Sequence, residues 1–126
     1  MTDQEALDDA KRRYLAARAD IDRLRRTIAS AACPIAVGDR VTVTDGNQTY
    51  EGLVDDVGAA PSIEDYLNPT PGAATPWVAS GRRIRKTDGQ PSKWTFSIPS
   101  NAECKHGVWH LPERGIEAVL GLPKLP

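Results

Sequence analysis

The chain is poor in cysteine, in aromatic residues and in long apolar runs. Its 126 residues include two Cys and one Phe, and aromatic residues make up 6% of the total. Two cysteines cannot build a disulfide framework, which favours a cytosolic protein. No apolar run approaches the roughly 18–20 residues that cross a bilayer, and residues 1–32 are too charged for the core of a signal peptide. We therefore expect a cytoplasmic chain of about one domain that does not insert into a membrane.

The net charge of −1 conceals three blocks of different sign. Residues 1–32 carry +1, residues 33–76 carry −6 and residues 77–126 carry +4. A total so close to zero excludes polyelectrolyte binding over the whole surface. Blocks of opposite sign favour opposite faces of one small domain.

The strongest local signal predicts one long helix from residue 2 to residue 32. Thr2 and Glu5 have the spacing of a capping box, in which two side chains satisfy backbone amides of the first turn. Acidic residues crowd the start and arginines crowd the end, which suits the helix dipole. Pro34 disfavours helical geometry at Cys33, so the helix should end near Ala32 after roughly 45 Å.

Apolar residues of this helix repeat every seven positions, which predicts a coiled-coil seam. An antiparallel mate would set the acidic start against the basic end, so we expect an antiparallel pair, either in a homodimer or with a foreign helix. The alternative is a helix that folds back on its own domain, which Leu15, outside the seam, favours. The seam residues are Leu7, Tyr14, Ile21 and Ile28 at one heptad position and Ala10, Ala17, Leu24 and Ala31 at the other.

After residue 34 the apolar pattern changes to the two-residue period of β-strands. Val41 and Val43 alternate with polar residues, and Asp45-Gly46 signals a hairpin turn. A second strand follows over residues 50–54. Farther along, residues 77–86 and 93–98 predict a long hairpin around a connection at 87–92. The remaining elements are a long loop at 58–76 with one helical turn at 62–67, a short strand at 107–111, a turn at 112–115 and a closing strand at 116–120.

The alternation also predicts the core. Trp94, Phe96 and Ile98 share one face of their strand. If Ile84 points inward on the strand before it, Arg83 and Arg85 project to solvent. We expect the core to include Val41, Val43, Val54, Trp94 and Phe96.

One stretch resembles a known family. Val37-Gly38-Asp39-Arg40-Val41-Thr42-Val43, followed by Tyr50-Glu51-Gly52-Leu53-Val54, resembles the opening of SH3-like barrels, particularly of the KOW type. The turn and strand over residues 112–120 are similar to the end of such barrels, so the resemblance covers about residues 35–120. It implies a mainly β chain, with a five-stranded, partly open barrel over 33–126 behind the helix of 1–32. It also implies a binding module for protein or nucleic acid. The long loop and the missing aromatic cluster of peptide-binding SH3 domains depart from the pattern.

Groups that carry catalysis or bind metals are few. No nucleophile motif or glycine-rich phosphate loop is present. Adjacent acids such as Asp55 and Asp56 are ordinary in solvated loops. The set Cys104, His106 and His110, with the distant Cys33, offers ligand types that zinc prefers, but the spacing matches no established zinc pattern. We therefore predict no enzyme, no metal site and no cofactor.

A basic hairpin is the best chemical feature of the sequence. Guanidinium groups suit carboxylates and phosphates, and indoles stack on bases. Its partner is then an acidic protein surface, either of another protein or of this chain's own acidic half in an oligomer, with nucleic acid as the second choice. A charged edge strand that prevents aggregation is the third interpretation. The residues concerned are Arg82, Arg83, Arg85, Lys86 and Lys93, with Trp77 and Trp94 at the ends.

Together these features favour a non-enzymatic protein–protein interaction module that dimerises through residues 5–31. The compact design and the absence of a metabolic motif fit a phage or mobile-element accessory protein, such as an inhibitor or an assembly adaptor in the host cytoplasm. The alternative is a nucleic-acid-binding, KOW-like protein that uses residues 82–93.

Overall fold

A computed structural model describes residues 2–61 and 69–112, which form one helix and six strands. The strands make one mixed sheet in the order β4-β3-β2-β1-β6-β5. The sheet is open, not a closed barrel, and β4 and β5 are its edges. The elements are α1 (Asp3–Ala32), β1 (Arg40–Asp45), β2 (Gln48–Ala59), β3 (Trp77–Ile84), β4 (Pro91–Pro99), β5 (Glu103–Lys105) and β6 (Val108–His110).

Local signals set both ends of α1, and its predicted bounds are confirmed. The Thr2 hydroxyl accepts a hydrogen bond from the Glu5 backbone N–H at 3.1 Å and donates to the Glu5 carboxylate at 3.2 Å. At the other end Cys33 is extended, with a ψ of 126°, as expected before Pro34. Its N–H donates to the Ala29 carbonyl and closes the last turn. Within residues 2–61 and 69–112, no helix is both long and apolar enough to span a membrane.

The predicted first hairpin is confirmed, but its second strand is longer than expected. Asp45 pairs with Gln48, so Gly46 and Asn47 form the turn, and the φ of Gly46 is +62°. β2 then continues for 12 residues to Ala59, with an irregular register between Val54 and Asp56. The acidic pair of residues 55 and 56 therefore belongs to a strand, not to a loop.

The core lies on one face of the sheet. Two edge-to-face aromatic pairs pack within it and against it. Phe96 meets Tyr50 edge-on, with ring centroids 6.1 Å apart, and Trp77 meets Trp109 edge-on at 6.0 Å. The core prediction is confirmed for all its members except Trp94, which is 65% exposed. The buried residues are Ala29, Ile35, Val41, Val43, Val54, Val57, Trp77, Ala79, Phe96 and Ile98.

The prediction is wrong for Trp94 because the ladder between β3 and β4 is irregular beside it. Arg82 pairs with Thr95 and Ile84 pairs with Pro91, so β4 has two more residues than β3 in this interval. Such an insertion interrupts the alternation of side chains between the two faces. The pattern that buries Phe96 therefore does not extend to Trp94.

β6 lies parallel to β1 and carries β5 on its other side. The predicted strand at 107–111 is confirmed as β6, whereas β5 was not predicted. The signal for it is the His106-Gly107 pair, whose φ values of 54° and 78° form a tight turn. Histidine is among the residues that enter this left-handed region more readily than most. The predicted helical turn at 62–67 and the closing strand at 116–120 lie outside the described residues.

Candidate functional site

The second half of α1 packs against the sheet. Ala29 is fully buried in the core, the Arg25 guanidinium donates to the Ala60 carbonyl at 2.9 Å, and the Ser30 hydroxyl donates to the Val57 carbonyl at 3.3 Å. Arg26 forms a salt bridge with Asp56 of β2. In the first half, by contrast, every side chain from residue 3 to residue 17 except that of Asp8 is exposed. The helix therefore contacts its own sheet mainly beyond residue 17.

The heptad seam of α1 stays largely exposed. Leu7, Tyr14, Leu24 and Ile28 are each between 49% and 59% exposed. Only Ile21 is half-buried, beside a segment that includes Pro69 and Pro71. Leu15 is 62% exposed, so the contact expected of it is not made, although the second half of α1 does fold back on its own sheet through other residues. Except for Ile21, which lines one pocket with the sheet-packing Arg25, the large seam residues are therefore left uncovered by the fold.

Cations of the basic hairpin are divided between the two faces of the sheet. Arg83 lies on the core face, two residues beyond the buried Gly81, and its guanidinium carbon is 3.9 Å from the centroid of the Tyr50 ring. Its Nη1 donates to the Gln48 side chain at 3.5 Å. Ile84 lies on the other face, which we call the outer face. The expected inward Ile84 and outward Arg83 are therefore reversed, because Gly81 and Ala79 fix the phase of β3.

Arg85 is held inside the turn that joins β3 to β4. Its Nε and Nη2 donate to the Asp88 carboxylate at 3.1 and 2.8 Å, and its backbone is bonded to Gln90 and Gly89 at 2.9 Å. These Arg85 contacts, followed by the Gln90 N–H, lower the pKa of the Asp88 carboxyl below its ordinary value of 3.8. The guanidinium group of Arg85 is therefore already hydrogen-bonded to a residue of its own turn.

This turn folds over the outer face of the sheet and forms an open groove of about 530 Å³. The Arg40 guanidinium donates to the Gly89 carbonyl at 3.2 Å and holds the turn in place. Glu51 lines the groove together with Arg40, Arg85 and Lys86, so the groove has charges of both signs. Sequence reasoning missed its β1 and β2 residues, although the inward positions of Val41 and Val43 already imply them. The lining residues are Arg40, Thr42, Thr49, Tyr50, Glu51, Ile84, Arg85, Lys86 and Gly89.

A smaller patch remains of the predicted partner-binding set. Lys86 and Lys93 are exposed, as is Arg82, which stands beside Thr95 in the ladder. The Lys93 ammonium lies 5.5 Å from the centroid of the exposed Trp94 ring. Trp77, by contrast, is 9% exposed and belongs to the core. The structure thus leaves Arg82, Lys93 and Trp94 exposed on the hairpin, with Lys93 beside Trp94, and places Trp77 inside.

Cysteines and histidines do not assemble into a reactive cluster. Across residues 2–61 and 69–112, no three His, Cys, Asp or Glu side chains are placed to hold a metal ion. Partial burial raises the pKa of the Cys33 thiol, which disfavours the thiolate that acts as a nucleophile. Cys104 is exposed on β5.

No protein family, curated protein or solved structure matches this chain.

Proposed function

We propose that the chain is a non-enzymatic protein-binding module whose main contact surface is the exposed seam of α1. The observation that carries the proposal is the exposure of the large seam residues after the fold is complete. Among the described residues, seven large apolar side chains are exposed, and five of them lie on α1. Fully burying one such side chain is worth about 1.5–3 kcal/mol. A partner that covers the seam would therefore gain substantial free energy.

The heptad spacing of the seam favours a helix as the partner element. A second helix places its own apolar side chains between residues that recur every three and four positions. The alanines at positions 10, 17 and 31 are exposed as well, and they allow close approach of a second backbone. A straight helix of 30 residues provides about 45 Å of such surface. This length suits a macromolecule rather than a small ligand.

An SH3-like barrel of the KOW type is the finer fold assignment within this proposal. It is supported by the sequence motif over residues 37–43, which leads into β1, by the antiparallel succession of β1 to β4 and by a short late strand beside β1. Folds of this kind serve as binding modules more often than as enzymes, which agrees with the exposed seam of α1. An accessory protein of a phage or mobile element, acting as an inhibitor or assembly adaptor, is the setting that we propose.

Affinity purification of the tagged full-length chain from its native host tests the proposal. Leu24→Asp places a charge in the seam, and Leu15→Asp places the same charge on an equally exposed leucine outside it. We expect a protein that co-purifies with the wild type and with Leu15→Asp and is lost with Leu24→Asp. Its affinity is then measured with purified components. Identical recovery with both variants would contradict a seam-mediated function.

A second candidate function is nucleic-acid binding through Arg82, Lys93 and Trp94. The exposed indole next to a cation favours it, since bases stack on aromatic side chains beside basic groups. It ranks second because Arg85 is occupied by Asp88 and Arg83 lies on the core face. The patch that remains offers few phosphate contacts.

A further inference from the structure

We propose that the partner of the α1 seam is a second copy of this chain, and that the two helices pair antiparallel with Leu7 of one copy facing Leu24 of the other. This inference rests on the proposed function, since it uses the same exposed seam. It adds the identity of the partner, the direction of pairing and the register. Each of these is tested separately below.

Charge along the helix selects the direction. The first nine residues contain Asp3, Glu5, Asp8 and Asp9, whereas Arg23, Arg25 and Arg26 lie near the other end. Parallel helices would place like charges side by side at both ends, which is unfavourable. An antiparallel pair places the acidic start of each copy beside the basic segment of the other. The complementarity is therefore a property of two identical helices.

Charge also selects the register between the two antiparallel arrangements that keep the heptads aligned and set Leu7 against the second half of the other helix. If Leu7 faces Leu24, residues 3–9 of one copy lie opposite 22–28 of the other, where the arginines are. If Leu7 faces Ala31 instead, the arginines at 23, 25 and 26 lie opposite residues 12–15, which include two more arginines. The first register is therefore electrostatically preferred.

The apolar layers in this register combine large and small side chains. Tyr14 faces Ala17 of the second copy, and Ile21 faces Ala10. An alanine opposite Ile21 is useful because Ile21 is already half-buried beside Pro69 and Pro71, which leaves limited space. With the Leu7–Leu24 layer and the two-fold equivalents, the seam gives six layers. On one flank Lys11 comes opposite Arg18 of the second copy, which is a repulsion, and outside the six layers Ile28 comes opposite Asp3.

The monomer fold leaves room for this arrangement. The residues of α1 that pack on the sheet, such as Arg25 and Ala29, lie on a different side of the helix from Leu24 and Ile28. The first half of the helix, which receives the second half of the other copy, has exposed side chains almost throughout. A second copy can therefore pair without displacing the contacts between α1 and its own sheet.

Multi-angle light scattering of the full chain at tens of micromolar tests the identity of the partner. We expect twice the chain mass for the wild type and for Leu15→Asp, and the monomer mass for Leu24→Asp with an unchanged circular dichroism spectrum. A monomeric wild type would overturn the second copy as the partner. The co-purification experiment would then test the proposed function by itself, and we would expect the seam to bind a helix of another protein.

Disulfide crosslinking tests direction and register in a background in which Cys33 and Cys104 are replaced by serine. Leu7→Cys with Leu24→Cys in one chain cannot close internally, because the two positions are about 25 Å apart along the helix. We expect this double variant to oxidise to a covalent dimer. A dimer formed readily by Leu7→Cys alone indicates parallel helices and overturns the proposal. Preferential crosslinking of Leu7→Cys with Ala31→Cys overturns the register.

Discussion

The ring of Phe96 lies directly over the backbone of Gly52. A Cβ atom on Gly52 would stand 2.9 Å from the Phe96 Cδ1 atom and closer still to two other ring atoms. Because Phe96 is 5% exposed and also packs against Tyr50, its ring has little space in which to move. Glycine in the middle of β2 is therefore required by the aromatic side chain that crosses it.

The first prediction is that Gly52→Ala destabilises the fold by about 1–3 kcal/mol through overpacking. Gly58→Ala in the same strand is the matched control, since its Cβ would meet only the flexible end of Arg26 at 3.4 Å. We expect the control to lose much less stability. Urea unfolding followed by circular dichroism measures both. Equal losses would show that the Phe96 ring can move aside.

The sequence alone explains Gly52 only in part. A glycine within a strand pattern indicates a bend or a close approach without naming the group that approaches. The same limit applies to Arg83, since alternation gives the period of β3 but not which residues face the core. Capping and the position of Pro34, by contrast, are local, and they fixed both ends of α1.

A second prediction contrasts two aromatic residues of β4 that were expected to be equivalent. Phe96→Ala should cost about 3–5 kcal/mol, because it leaves a cavity in the core. Trp94→Ala should change the stability by no more than about 0.5 kcal/mol, the usual range for an exposed site. Thermal and chemical unfolding of the two variants decide the matter. A large loss for Trp94→Ala would indicate that its indole is covered in solution.

Other residues were out of reach of sequence reasoning for a different reason. The two extra residues of β4 that expose Trp94 depend on pairing with β3, which is not local. The burial of Ala29 and the exposure of Leu15 likewise depend on the angle at which α1 crosses the sheet. The heptad pattern predicts an apolar stripe, but it carries no information on what covers that stripe.

A third prediction concerns the titration of Asp88. The pKa of the Asp88 carboxyl is lowered in the folded state, chiefly by Arg85. The ionised carboxylate therefore stabilises the fold at pH values above the pKa that the same carboxyl has in the unfolded chain. This stabilisation is lost as the pH falls through the pKa of Asp88 in the folded state, which lies below 3.8. We expect an NMR titration of the Asp88 carboxyl to give a value below 3.8 in the wild type. Arg85→Ala should raise it, and Lys86→Ala should leave it unchanged.

The fourth prediction separates the two candidate functions. We expect no submicromolar binding of short single- or double-stranded DNA or RNA at about 0.15 M salt, where screening acts over about 8 Å. The reason is that the acidic residues of segment 33–76 repel polyanions and only part of the basic set is accessible. Fluorescence anisotropy provides the measurement. Tight binding that Arg82→Glu with Lys93→Glu abolishes, and Leu24→Asp retains, would reverse the ranking.

The parallel pairing of β6 with β1 also imposes an order on folding. Each pair from β1 to β4 joins neighbours in sequence, whereas Thr42 meets Val108 only after the whole intervening chain has been made. Closing so long a loop is entropically costly and slow. During synthesis one edge of β1 is therefore unpaired until residue 110 has left the ribosome. Until then, the free edge of β1 can pair with a strand of another chain. The pairing of β6 with β1 removes that edge, and it brings Trp109 against Trp77.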